Sequence, residues 1–246
     1  TILYQAFQHG NLSPLEDLPI QYKDFSQWQR DWLAAGNQQR LTDYWKIQLA
    51  DVPRLNLPLD YQRPVNDNNV GGYFSHCIKH DCQQALHQLA NQQECSVYML
   101  LLNSFGCLLS KLTGQKDFTI GTPISGRNRE ELEGLIGFFV NTLALRMDFT
   151  DNPTFNESLQ KTKSTVLDGF AHQELPFDKM VATIQADRNM AQNPLFQVLF
   201  ALQNTPANKI DTGDLEFIPL EALSQTAKFD LSLFMDENEQ GFQVVW

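Results

Sequence analysis

Basic residues are scarce in this sequence. Its 246 residues contain 18 Lys and Arg against 29 Asp and Glu, a formal net charge of −11. Gripping a phosphate backbone needs clustered positive charge, so the chain is a poor candidate for that role and no nucleic-acid partner is expected. The same sign disfavours anionic membrane surfaces. Long apolar runs are missing too. The longest, Val97–Leu109, is interrupted by Asn103 and Ser104 and falls short of the roughly 20 residues that span a bilayer. It is expected to be a buried helix, and no membrane contact is expected. No basic stretch leading into an apolar one opens the chain, so a cytoplasmic location is expected. Cysteine is limited to Cys77, Cys82, Cys95 and Cys107, with no Cys-x-x-Cys and no common zinc spacing. No metal site is expected, and the four read as reduced thiols, some buried as small hydrophobes. Self-contained catalytic signatures are also lacking: there is no Gly-x-Ser-x-Gly, P-loop, Gly-x-Gly-x-x-Gly or His-Glu-x-x-His.

What is present is globular. Hydrophobic residues make up 42% and aromatics 11%, enough for the core of one large domain or two small ones. Apolar spacing predicts helices at Thr1–Phe7, Asp24–Leu33 and Leu41–Leu49, with Gly10 stopping the first and Thr42 or Asp43 opening the third. Trp28, Trp32 and Trp45 are their large anchors. Val52–Asn69, with Pro53, Pro58 and Pro64, reads as an extended connector. Further helices are predicted at Asp81–Gln92, at Val97–Leu112 (capped by Ser96 and stopped at Thr113-Gly114), from Asn152-Pro153-Thr154 to about Ala171, and from Pro176 to about Ile184. Strands are predicted at Tyr73–Lys79, Asp117–Pro123, Phe138–Phe149, Phe196–Gln203, Leu215–Pro219, Phe229–Met235 and Phe242–Trp246. Helices alternating with strands, with strands clustering late, argue for an α/β two-layer sandwich with a mixed sheet. The first helix has no capping residues before it, and the last strand stops on an apolar residue. The chain therefore reads as a piece of a longer polypeptide.

Chemistry-bearing side chains are thinly spread. His76 and His80 are an even number apart in or beside a strand and are expected to share a face without forming a site. His172 lies close to Glu174 and Asp178, a spacing open to a general base and equally to a cation at a helix C-terminus. Four segments are denser: Tyr22-Lys-Asp-Phe-Ser-Gln-Trp28, Ile136-Gly-Phe-Phe-Val-Asn-Thr-Leu-Ala-Leu-Arg146, His172-Gln-Glu-Leu-Pro-Phe-Asp178, and Arg188 followed by Asn193-Pro-Leu-Phe-Gln-Val-Leu-Phe200.

In this order, the four segments resemble the condensation domain of non-ribosomal peptide synthetases. Gly121-Thr-Pro-Ile-Ser-Gly-Arg127 and Ala227-Lys-Phe-Asp-Leu-Ser-Leu233 are similar to family segments too. The resemblance implies a chloramphenicol-acetyltransferase-like lobe. It implies an amide-forming acyltransferase in which the amine of an acceptor aminoacyl group attacks the thioester of a donor. Both would be carried on phosphopantetheine arms by partner carrier domains, with no cofactor bound directly. The family's His-His-x-x-x-Asp-Gly signature does not occur in these residues and is expected upstream of Thr1. Residues 1–70 then read as a helical segment and inter-lobe connector, and 71–246 as a C-terminal lobe cut at both ends. No catalytic residue is expected in the chain, and the piece alone is expected to be inactive.

Ser125 and Asn141 are the candidates for lining a substrate tunnel, against plainer readings as a turn residue and a buried amide. Tyr22, Asp24 and Trp28 read as an anchor that bridges lobes. Arg146 and Arg188 are expected to pair with carboxylates such as Asp178 or Asp187. Expected partners are donor and acceptor peptidyl carrier domains, the missing N-terminal lobe and an adjacent adenylation domain. Arg127/Arg129 and Lys161/Lys163 are the basic patches available for docking. Two alternatives remain open: a non-catalytic lobe that binds a carrier or neighbouring domain, and a related epimerization domain or free-standing acyltransferase.

Overall fold

The alternating pattern folds around a six-stranded mixed sheet in the computed structural model, which describes residues 2–62, 70–184, 195–203 and 226–246. Helices α1 (Ile2–Gln8), α2 (Tyr22–Trp32) and α3 (Gln38–Gln48) come first. They are followed by β1 (Ser75–Lys79), α4 (His80–Gln92), α5 (Val97–Thr113), β2 (Asp117–Ile124) and β3 (Asn141–Asp148). Then come α6 (Phe155–Ala171), α7 (Phe177–Ile184), β4 (Val198–Gln203), β5 (Leu231–Asn238) and β6 (Gly241–Val245). The sheet order is β1-β6-β5-β4-β2-β3. The inner pairs β2–β4 and β4–β5 are parallel; β1–β6, β5–β6 and β2–β3 are antiparallel. The strand predicted at Leu215–Pro219 lies outside the described residues.

Local chemistry sets the helix ends. Ser96 accepts a hydrogen bond from the Met99 N–H at 3.2 Å, and Gly114 closes the other end of α5. Thr154 and Glu157 form a reciprocal capping box at the start of α6. The third predicted helix starts earlier than its sequence implied. A wide turn at Leu33–Asn37, broken at Ala35 and Gly36, lets α2 run almost directly into α3. Thr42 is therefore buried mid-helix and does not cap. His80 opens α4 instead of ending a strand, so it shares no sheet face with His76.

Helices α4, α5 and α6 lie side by side on the sheet. Phe118, Ile120, Leu143, Leu145 and Met147 of β2 and β3 are essentially solvent-free and belong to one large apolar cluster with α5. Each such buried side chain is worth about 1.5–3 kcal/mol. The same cluster takes in Leu41, Trp45 and Leu49 of α3 and Leu55 of the connector. Residue 70 thus does not divide the core. The Leu55 N–H is held by the Gln197 side chain at 2.9 Å, beside β4.

A polar relay crosses the central layer. Tyr98 of α5 donates to Thr122 of β2 at 2.9 Å, and Thr122 donates to the Phe200 carbonyl of β4 at 2.9 Å. Burial pushes the Tyr98 phenol well above its ordinary value. Burial, helped by the nearby Asp168 charge, pushes Tyr44 up to about 12. A phenol whose folded value exceeds its unfolded value of about 10 stabilises fully below that pH and loses its contribution as pH climbs above it. Unfolding midpoints in urea are therefore expected to fall steeply between about pH 10 and 12. Tyr98→Phe should flatten that fall, and a slope unchanged by the substitution would refute the assignment.

Candidate functional site

The first three sequence segments converge on one cavity. About 470 Å³ in volume, it lies between α2, the chain leading into β3, and the turn before α7. Tyr22 and Phe25 form one side. Phe138, Phe139 and Asn141 form a second. Glu174, Phe177 and Asp178 form the third. The fourth segment lies partly outside the described residues, Arg188 included, as does the carboxylate candidate Asp187; the segment's described part supplies Phe196 to the core and leads into β4.

Each wall is fixed by identifiable contacts. Asp24 sits in the first turn of α2 and accepts a hydrogen bond from the Gln21 N–H at 2.9 Å, so it caps its own helix. Tyr22 donates to the Phe138 carbonyl at 3.0 Å and meets Phe139 edge-on at 5.2 Å. Its ring lies against Gly137, where any Cβ would collide with it. Trp28 packs beside Phe25 at 5.9 Å and carries the Arg129 guanidinium over its face at 4.4 Å. Arg127 covers Phe139 at 4.2 Å and donates to the Leu132 carbonyl. Gly126 has a left-handed φ of +66°, and a Cβ there would overlap the Phe139 carbonyl oxygen. Both arginines of the first basic patch are thus engaged by aromatic faces around α2 and the loop. In the second, Lys161 lies 3.7 Å from Asp148 and 3.5 Å from Asp151.

Asn141 is a pin. Its amide donates to the Gln173 carbonyl at 2.9 Å and the Leu175 carbonyl at 2.8 Å, and its oxygen accepts from the Phe177 N–H at 3.0 Å. That fixes the turn between α6 and α7. Asn141 also lines the cavity, whereas Ser125 does not: Ser125 is exposed, and its hydroxyl accepts from the Arg127 N–H at 3.4 Å as a turn residue does.

His172 is committed to structure. Its Nδ1 lies 2.7 Å from the Asp168 carbonyl oxygen, and its ring stacks on Tyr44 at 3.7 Å. It stands at the C-terminal cap of α6. Arg146 does not pair with Asp178. It makes a two-pronged contact with Asp117, at 2.8 and 2.7 Å, and donates to the Gln48 and Ala50 carbonyls at 3.2 Å. Asp117 and Arg146 lie near one another across the β2–β3 ladder, a pairing that the register fixes and sequence separation conceals. Asp178 stands exposed in the first turn of α7. Glu174 accepts from Asn128, a contact no spacing announced. Glu174 and Asp178 are the carboxylates of the cavity wall.

Comparison with known proteins places this architecture. The family model of the condensation domain matches residues 1–246. Malpinin synthetase of Mortierella alpina is 40% identical over 240 residues, covering 97% of this chain and 3% of that protein. Bacitracin synthase 3 of Bacillus licheniformis is 37% identical over 245 residues, covering 99% of this chain and 4% of the relative. The chain thus spans a few per cent of the length of these curated relatives. Among solved structures, the X-domain from teicoplanin biosynthesis superposes with a TM-score of 0.84 at 19% identity, covering 99% of this chain and 57% of that one. The chain belongs to the condensation-domain family found in non-ribosomal peptide synthetases, and its sheet and helices are the chloramphenicol-acetyltransferase-like fold of that family.

Proposed function

We propose that these residues are the C-terminal lobe and inter-lobe connector of a domain that joins two carrier-tethered acyl groups through an amide bond. The observation that carries this reading is the convergence of three family segments on one cavity. In the proposed reaction the acceptor amine nitrogen attacks the donor thioester carbonyl, a C–N bond forms, and the C–S bond breaks. The amine proton ends on the departing carrier thiol. Most of the rate gain comes from holding two long arms end to end, with donors stabilising the tetrahedral oxyanion.

This chain supplies a wall and a floor for that encounter. The loop from Gly126 to Val140 is tied to α2 by Tyr22 and braced internally by Arg127 over Phe139, and it leaves Phe138 exposed. The proton-handling imidazole belongs to a preceding lobe with the His-His-x-x-x-Asp-Gly signature, which these 246 residues do not contain. The histidine beside the cavity, His172, is occupied in capping and stacking. The chain alone is therefore proposed to be inactive, with carrier domains and an adenylation domain as its neighbours. A purely carrier-binding role is the alternative, and the same experiment separates the two.

The chain is fused to its upstream sequence and given donor and acceptor carrier domains loaded with aminoacyl-phosphopantetheine. Dipeptidyl-carrier formation by the fused form, and none by the 246 residues, is expected. Amide formation by the 246 residues alone would overturn the proposal. No product from either form, with both carriers still bound, would favour the binding-only role.

A further inference from the structure

The cavity has a chemical character that the reaction itself does not require. Aromatic rings, Phe25, Phe139 and Phe177 among them, share its walls with neutral polar side chains such as Gln29 and Thr142, and it falls in the size range of small-molecule sites. Its titratable side chains on the α6–α7 side are two carboxylates, Glu174 and Asp178. Among the described residues that line it, none is Lys, Arg or His. The nearest arginines are turned to other duties, Arg127 to Phe139 and the Leu132 carbonyl and Arg129 to Trp28. Glu174 is fixed by Asn128, and the turn carrying it is fixed by Asn141. The negative charge is therefore built into the wall and has no cation among the lining residues to balance it.

We infer that this cavity selects its occupant by charge. It takes an apolar-bodied group that is neutral or carries an amine, and it rejects one that carries a carboxylate, with Glu174 and Asp178 as the specificity-determining residues. This rests on the reading that the cavity faces a tethered acyl substrate, and it adds which acyl groups pass. Two physical effects act together. Aromatic faces attract an ammonium group and bury an apolar body. Two carboxylates on one wall raise the cost of bringing a third negative charge against it. The acidic balance of the whole chain, −11, adds a background field of the same sign.

The test uses the 246-residue chain and three probes that share one ring and differ in charge: phenethylamine, phenethyl alcohol and phenylacetate. Backbone resonances are followed on titration. Phenethylamine is expected to bind saturably, shifting Phe139, Asn141 and Asp178. Phenethyl alcohol is expected to bind more weakly at the same residues, and phenylacetate not at all. Asp178 is exposed, so Asp178→Asn should leave the fold intact. It should weaken phenethylamine by about two- to threefold, the size of a solvent-exposed ion pair, and leave phenethyl alcohol unchanged. Glu174→Gln keeps an acceptor for Asn128 and gives a second, independent loss. Phenylacetate binding as tightly as phenethylamine would overturn the inference, as would an amine preference indifferent to both substitutions or shifts confined to another surface. The outcome is separable from that of the dipeptide assay. An active fused protein with no charge preference here would sink only the charge filter. A charge-selective cavity in an inactive fused protein would sink the condensation reading and leave the cavity a binding site.

Discussion

Trp45→Ala is expected to cost about 4 kcal/mol of unfolding free energy, a large share of the roughly 5–15 kcal/mol that holds most domains together. Trp45 is 1% exposed and sits in the main apolar cluster with Leu143 and Leu145 of β3. Its indole N–H donates to the His172 carbonyl at 3.1 Å, at the end of α6, and its ring meets Tyr44 edge-on at 5.0 Å. Truncation leaves a cavity the size of an indole and a carbonyl without its protein donor, and both terms act in one direction. Denaturant unfolding followed by circular dichroism reads the effect. The midpoint should drop while the slope stays constant, in one transition. The single transition matters as much as the size. α3 precedes the connector in the chain, yet its apolar face completes the core of the lobe. A second, separate transition attributable to residues 1–70, or a loss below about 1 kcal/mol, would show that α3 is an independent appendage.

Much of this fold could be read from the residues, where local chemistry and burial agree. The Ser96 and Gly114 ends of α5 and the Thr154 start of α6 rest on side chains whose capping action is local, and they stand where the residue pattern placed them. Boundaries failed where long-range contacts decide. The strand predicted from Phe138 begins at Asn141, because Phe138 to Val140 are drawn out of the ladder by Tyr22 and by the Gly126 turn. Pairing across the sheet was equally hidden. Arg146 asked for a carboxylate, and nothing in the order of residues distinguishes Asp117 from Asp178 until β2 and β3 are in register. The cavity itself was legible as three dense segments but not as a place. The acidic pair in its wall comes from one of them, while its tether, Asn128, lies in a loop with no pattern at all.

Asn141→Leu is the second large effect, and it decides between two roles for the residue. The substitution keeps approximate shape and removes one donor pair and one acceptor. The Gln173 and Leu175 carbonyls and the Phe177 N–H then lose their protein partner in a partly buried turn. A loss of about 2–4 kcal/mol is expected, roughly 5–10 °C in melting temperature for a chain of this size. Amide hydrogen exchange should quicken from Leu175 through Met180, because the turn and the first turn of α7 share the same clasp. If Asn141 instead served mainly as a polar contact for a tethered acyl group, the substitution would leave melting and exchange at their original values and lower only product formation in the fused protein. The geometry favours the first result, since both amide hydrogens and the amide oxygen are already taken by backbone. The side chain then acts on the cavity at one remove. It holds Glu174 and Asp178 in the wall, so a loosened turn should also blunt discrimination between phenethylamine and phenylacetate, even where the protein remains folded.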